Sequence, residues 1–333
     1  MRIIMFGTGP FAVPTFKALL ESEHEVPLLV TRPISDPGKR RKSAANPTRD
    51  AGEKAGVRIL DPDSCNDEAI VAELAALQAD LFVVCDYGQI LSRECLAAAR
   101  LGGINLHGSL LPKYRGAAPI NWAIYNGDTV TGVTVIHMSA RLDAGNCLTR
   151  AEMPIGPDQT TGEIEPLLSE LGVKPVLDAI GILDNWDGDS TVGQPQDKSL
   201  ATKAPRLKKS DGAIDWTKSA VQIRNQIRAF QPWPGCFALW HYEQRGKQKQ
   251  LRLIVHRATV LQSGEMNIEV ADVAPGQVAA CSPERLIIQT GEQLLSLDIV
   301  QPAGKSAMPV ADFLRGRQPA KGDWFMSPEQ AAM

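Results

Sequence analysis

An α/β domain built on a parallel sheet, followed by a small β-barrel, is the fold class that the sequence predicts. Three observations carry it. The chain has 333 residues, more than one ordinary core accommodates. Strand and helix signals alternate through its first half, and after about residue 206 the pattern changes to short β-type runs separated by turn signals. With 44% apolar and 22% charged residues, the composition is that of a soluble globular protein. No run of 18 apolar residues marks a membrane span, and the N-terminus lacks the basic-then-apolar layout of a signal peptide. Six scattered cysteines form no CxxC pair and share no metal-ligand spacing with histidine, so a reducing cytoplasm and no structural metal are expected. Cys85 and Cys147 lie in apolar stretches and read as small core residues.

Element by element, Arg2–Phe6 reads as a strand that runs into the turn Gly7-Thr8-Gly9-Pro10. Val13, Phe16, Leu19 and Leu20 recur at helical spacing, and Glu25–Val30 is a second strand. The Pro-, Gly-, Ser- and Lys/Arg-rich stretch from Arg32 to Asp50 is a long loop, of the kind that is usually functional or mobile. Glu68–Leu77 is helical, while Leu81–Cys85, Gly103–Leu106 and Gly132–Met138 are strands, an alternation that places helices on both faces of a parallel sheet. A helix is expected from Thr161 to about Leu183, interrupted in its pattern by Pro166 and Pro175. The polar stretch 186–206 reads as a linker between a domain over 1–185 and another over 207–330. In the second domain Trp216–Phe230 looks helical, and Phe237–His241, Leu251–Val260, Gly276–Ala280, Leu286–Gln289 and Leu294–Ile299 are the barrel strands.

Two stretches invite a chemical reading. Gly7-Thr8-Gly9-Pro10-Phe11-Ala12 matches the weak GxGxxA form of the dinucleotide fingerprint. No acid ends the second strand to hold a ribose, and Pro10 removes an N–H from the turn. A glycine turn that lets a helix pack closely is therefore the better reading, although Arg32 would suit an NADP phosphate. The second stretch runs from Gly102 to Pro112. Strand parity points Asn105 and His107 to one face and Ile104 and Leu106 to the other, and Gly108 ends the strand at its carboxyl edge, where open α/β sheets bind ligands. Asp143, in Leu142-Asp143-Ala144-Gly145, follows the strand ending at Met138 and is expected at the same edge. His137 has no such company and reads as structural.

These residues resemble the folate-dependent formyltransferases. The resemblance is carried by Asn105-Leu106-His107-Gly108-Ser109-Leu110-Leu111-Pro112, Arg115-Gly116-Ala117-Ala118-Pro119-Ile120 and Leu142-Asp143-Ala144-Gly145. It extends through Tyr87-Gly88-Gln89-Ile90-Leu91, Gly212-Ala213-Ile214-Asp215-Trp216 and Gln231-Pro232-Trp233-Pro234. It implies a Rossmann-like formyltransferase domain followed by an OB-type barrel, with 10-formyltetrahydrofolate as donor and initiator methionyl-tRNA as acceptor. It also implies a catalytic set of Asn105, His107 and Asp143, and folate contacts at Ser109, Leu110, Leu111 and Pro112. This chain departs from the family pattern at Gly7-Thr8-Gly9, where Gly-Thr-Pro is common, in the spacing of its basic loop, at Ser92 and at Asn146.

The overall charge of −3 hides two basic blocks. Lys203–Arg257 holds 12 Lys or Arg against 3 Asp or Glu, a local +9, and Arg32–Lys42 holds 5 against 1. Lys39, Arg40, Arg41, Lys42, Lys208 and Lys209 are the expected tRNA contacts, made mostly to phosphates. Formyl transfer proceeds by attack of a neutral amine on the formyl carbon. The resulting oxyanion needs donors placed in advance, which the Asn105 amide and a protonated His107 supply, and Asp143 helps to move protons. A formyltransferase acting on a small amine shares this set without needing the basic domain. An NADP-dependent oxidoreductase and a catalytically silent tRNA-binding module are the readings from other classes. A monomer is expected.

Overall fold

The computed structural model describes residues 1–34, 45–261 and 273–326. The chain divides into two compact units. The first comprises Met1–Ile120, Val130–Ile155 and Glu163–Arg206, and the second Asn121–Thr129, Gly156–Gly162 and Leu207–Met333.

Chain order in the first unit begins β1 (Arg2–Gly7), α1 (Val13–Glu21), β2 (Glu25–Val30), α2 (Pro47–Ala55), β3 (Arg58–Leu60), α3 (Glu68–Ala76), β4 (Leu81–Cys85), α4 (Arg93–Leu96) and β5 (Gly103–His107). It continues with α5 (Pro119–Tyr125), β6 (Val130–His137), β7 (Cys147–Pro154), α6 (Thr161–Leu171) and α7 (Val173–Asp184), α5 and α6 each crossing a unit boundary. The sheet order is β3-β2-β1-β4-β5-β6-β7. The first five strands are parallel, as the alternation predicts, but β6 and β7 are antiparallel additions. The edge strand β7 alternates between half-buried and exposed residues, which leaves little apolar signal, and Cys147, expected in the core, lies half-buried there. Helices cover both faces. Leu28, Val30, Phe82 and Val84 pack with Leu74, Cys95 and Leu96 from α3 and α4. On the other side, Gly52 of α2 closes on Leu29, and Gly172, at the corner between α6 and α7, closes on Leu106.

The single helix expected from Thr161 to Leu183 is two helices broken at Gly172. Pro166 is carried inside α6, whereas Pro175 falls in the first turn of α7, where an amide N–H has no intrahelical partner to lose. Residues 186–206, expected as a linker, run along the first unit. Gln194 pairs with Cys147, and Lys203 bridges to Arg115.

Glycine is required at Gly132 of β6. A Cβ there would lie 2.1 Å from the Ala151 carbonyl oxygen and 2.6 Å from the Leu110 side chain. Gly132→Ala is accordingly expected to destabilise the protein by about 1–3 kcal/mol through overpacking, read as a lower chemical-denaturation midpoint. An unchanged midpoint would show that the contact is relieved without cost.

The second unit contains α8 (Ala220–Ala229), β8 (Cys236–Gln244), β9 (Lys247–Leu261), β10 (Val278–Cys281), β11 (Leu286–Gln289), β12 (Leu294–Pro302), β13 (Met308–Pro309), α9 (Val310–Gly316) and β14 (Trp324–Met326). The helix expected over Trp216–Phe230 starts later, because Ser219 and Gln222 form a reciprocal capping box that fixes its first turn. Trp216 is instead fully buried ahead of it. The antiparallel path β10-β11-β12-β9-β8-β14 curls until its ends meet. Phe325 N–H donates to the Gly276 carbonyl at 2.7 Å, and Val278 N–H to the Asp323 carbonyl at 2.9 Å. Closing the path removes the exposed edges of the sheet, as the predicted OB-type barrel requires.

Candidate active site

The predicted trio is brought together in the first unit. Asn105 and His107 lie on β5, with Ile104 and Leu106 buried on the alternate positions. His107 is almost wholly enclosed, its side chain 6% exposed, and Asp143 is 11% exposed. The His107 Nε2 lies 2.9 Å from the Tyr114 carbonyl oxygen. A carbonyl only accepts, so Nε2 carries a hydrogen and donates it there. That leaves Nδ1 as the nitrogen free for chemistry, and Asp143 Oδ2 faces it at 3.8 Å. The separation exceeds a direct hydrogen bond but lies within reach of an ion pair once Nδ1 is protonated. Half-buried Asn105 sits one alternate position earlier on the strand, and its amide has no hydrogen-bond partner among the described residues.

Asp143 arrives by a different route from the one expected. β6 runs antiparallel to β5, with His137 paired to Ile104 and Thr134 to His107, so β6 does not end at the carboxyl edge of β5. The connection from Met138 to Asn146 carries Asp143 back to His107. It is held by contacts that the sequence does not announce. The Asp143 backbone has φ +49°, in the left-handed region, and its Oδ2 accepts the Gly116 N–H at 2.9 Å. Gln196 donates to the carbonyls of Asp143 and Gly145 at 2.9 and 2.8 Å, and Arg115 donates to the Gln196 Oε1. Gln196 belongs to the polar stretch 186–206, where composition gives no hint of a role beside the site. Arg115 and Gly116 lie in a motif already singled out, and Tyr114 immediately precedes it.

The stretch expected to meet folate has two kinds of residue. Ser109 and Leu111 are buried. The Ser109 hydroxyl donates to the Lys113 carbonyl at 2.7 Å, and the Thr134 hydroxyl donates to the Ser109 carbonyl while accepting the Leu111 N–H. These two side chains hold the segment against β6, leaving the half-exposed Leu110 and Pro112 with surface to offer. Leu142, beside Asp143, adds an apolar side chain that is 57% exposed.

Of the expected tRNA contacts, Lys39, Arg40, Arg41 and Lys42 lie outside the described residues. Lys208 and Lys209 are exposed in the second unit. Part of the +9 in that region is spent internally. Arg228 is buried and donates to Asn225 and to the carbonyls of Gly156 and Gln159, Arg224 pairs with Asp158, and Arg252 stacks over the Phe237 ring at 3.8 Å.

The turn after β1 is a packing turn. The N–H groups of Thr8 and Gly9 both donate to the Asp86 carbonyl, at 3.1 and 3.3 Å, so neither faces a pyrophosphate. His137 has its Nε2 against the Leu101 carbonyl and its ring edge-on to Trp186.

Comparison with known proteins places the chain as a whole. Residues 1–180 match the formyl transferase family model, and residues 206–318 match the model of the formyl transferase C-terminal domain. A methionyl-tRNA formyltransferase of Rhodopirellula baltica is 40% identical over 337 residues, covering 98% of this chain and 97% of its own length. The N-formyltransferase of Helicobacter canadensis, solved with folinic acid and dTDP-3-aminofucose, shares the fold with a TM-score of 0.61 at 16% identity, over 89% of this chain and 99% of that one. HypX from Aquifex aeolicus, solved with tetrahydrofolic acid, does so with a TM-score of 0.57 at 18% identity, over 94% of this chain and 47% of that one. A chain whose two units match both formyl transferase models, and whose likeness to a named relative runs almost from end to end, belongs to the formyl transferase family.

Proposed function

We propose that this protein transfers the formyl group of 10-formyltetrahydrofolate to the α-amino group of methionine on initiator methionyl-tRNA. One observation carries the chemistry: His107, its Nε2 committed to a carbonyl, turns Nδ1 toward Asp143 beside the unpartnered amide of Asn105. Attack of the amine on the formyl carbon places negative charge on the formyl oxygen. The Asn105 amide and a protonated His107 Nδ1 stabilise it, as donors fixed in a largely enclosed site before the charge develops. Asp143 balances the charge on the imidazolium and orients it. Protons then pass between the attacking nitrogen and the departing folate nitrogen by way of His107, with no covalent enzyme intermediate. Exposed Leu142 and half-exposed Leu110 and Pro112 offer apolar surface for the folate ring system.

The macromolecular acceptor rests on the near end-to-end likeness to methionyl-tRNA formyltransferases and on the basic second unit. The units as read from sequence, 1–185 and 207–330, divide the work into chemistry and tRNA binding, in a monomer acting in the cytoplasm. Lys208 and Lys209, with Lys39, Arg40, Arg41 and Lys42, contact phosphates.

The deciding assay offers 10-formyltetrahydrofolate to charged initiator tRNA and to competing small amines at several salt concentrations. Formylation of the tRNA is expected, with affinity falling steeply as salt rises. Replacing Lys208 and Lys209 together by alanine should reduce the slope of log K against log salt by about 2. Preference for a small amine, with a flat salt response, would sink the tRNA assignment.

A further inference from the structure

We propose that Asp86 is a further catalytic residue of the formyl transfer: the carboxylate that receives the acceptor's α-ammonium group and removes the proton it must lose before it can attack. The inference rests on the function proposed above and concerns a step that the trio leaves unassigned. An α-amino group has an ordinary pKa of about 7.7–8.0, so near neutrality much of the acceptor arrives as ammonium, without a lone pair. Two protons therefore have to be moved. The first leaves the ammonium before attack. The second leaves the nitrogen after the new C–N bond forms, and ends on the folate nitrogen as its bond to the formyl carbon breaks. The second stays within the site, and the first must be released to water. His107 and Asp143 are too enclosed to release it directly.

Asp86 stands where such a base is needed. In the order β3-β2-β1-β4-β5 the winding reverses between β1 and β4, and the crevice beyond their carboxyl ends is the ligand-binding position of open α/β sheets. β4 ends at Cys85, so Asp86 is the first residue beyond it. Its strand is the neighbour of β5, and Val84, two residues earlier, is the register partner of Asn105. The residue is held in the left-handed region, φ +47°, with its carbonyl bound to the N–H groups of Thr8 and Gly9. Its carboxylate occupies space that exists only because residue 9 is glycine, since a Cβ there would lie 1.8 Å from Oδ2. Asp86 is exposed, and its carboxylate makes no hydrogen bond or ion pair to another described residue.

The surroundings suit the task. Cys85 and Ser169 both donate to the Phe11 carbonyl, which draws α6 against the end of β4. Glu165, one turn before Ser169 on the same face of α6, is the second carboxylate there. Though open at its surface, Asp86 is closely flanked by protein. Loss of hydration first, and then the charge of Glu165, push its pKa up to about 6. The Cys85 thiol is a further ionisable group that feels its charge, and the Arg32 side chain lies over Gly88, two residues on. A base this close to the ammonium's own range exchanges protons with it readily.

The test compares kcat/KM for charged initiator tRNA between about pH 6 and pH 9. Asp86→Asn should lower it on the order of 10²-fold near pH 6.5, with the deficit narrowing as pH rises and solvent supplies the neutral amine, and should leave folate affinity unchanged. Gly9→Ala, which puts a methyl group where the carboxylate sits, should reproduce the deficit in the wild type and add nothing to Asp86→Ala. An Asp86→Asn enzyme equal to wild type, or one impaired equally at every pH, overturns the assignment alone. A wild-type protein that formylates no aminoacyl-tRNA overturns the function and this step together.

Discussion

His107→Ala is expected to lower kcat for formyl transfer by on the order of 10²–10³-fold, equivalent to about 3–4 kcal/mol of transition-state stabilisation, while folate binding changes little. The magnitude follows from geometry. The ring is enclosed, its Nε2 is consumed by the Tyr114 carbonyl, and its Nδ1 is directed at Asp143. A donor of this kind is strengthened by the low local dielectric and costs no reorganisation when the oxyanion forms. Folate affinity is a ground-state quantity and is spared, because the interaction matures only as charge develops. Single-turnover formylation together with a folate titration separates the two. A variant with near-wild-type turnover would show that the buried ring serves packing alone.

Asp143→Asn is expected to reduce turnover by on the order of 10²–10⁴-fold with a thermal midpoint close to wild type, as when a carboxylate beside a catalytic imidazole is exchanged for its amide. Asparagine is the informative replacement for two reasons. It tolerates the left-handed backbone at φ +49°, where most side chains are strained. Its carbonyl oxygen can also still accept the Gly116 N–H that Oδ2 accepts now. What it removes is the charge facing Nδ1. If Asp143→Asn keeps wild-type turnover, the carboxylate does no more than fasten its loop to Gly116. Loss of turnover accompanied by a lower midpoint would assign it the same structural duty.

The strands of the fold were legible where burial is one-sided or complete. β1 and β4 are short apolar runs, β5 alternates polar and apolar side chains, and the alternation of such strands with helices sets a parallel sheet. β7 and β14 escaped notice because one is a half-exposed edge strand and the other is three residues long, so neither imposes a period on the sequence. The late start of α8 depends on a reciprocal pair of side-chain bonds, which apolar spacing does not register. Within the candidate site, the pairing of Asn105 with His107 was legible from parity alone, since alternate side chains on a strand must share a face.

What the sequence determined by itself is therefore the set of groups that share a strand: the Asn105 amide and the His107 ring two residues apart, with apolar partners on the other side. Local covalent geometry dictates that much. Tertiary structure alone decided the rest. The antiparallel course of β6 moved Asp143 away from the edge at which reading along the chain had put it, and long-range bonds from Gly116 and Gln196 returned it to within 3.8 Å of Nδ1. The Tyr114 carbonyl decided which imidazole nitrogen is left for chemistry. The void over Gly9 decided where the Asp86 carboxylate stands. Each is a contact between residues distant along the chain or in separate turns of it, and no period in the sequence encodes such a contact.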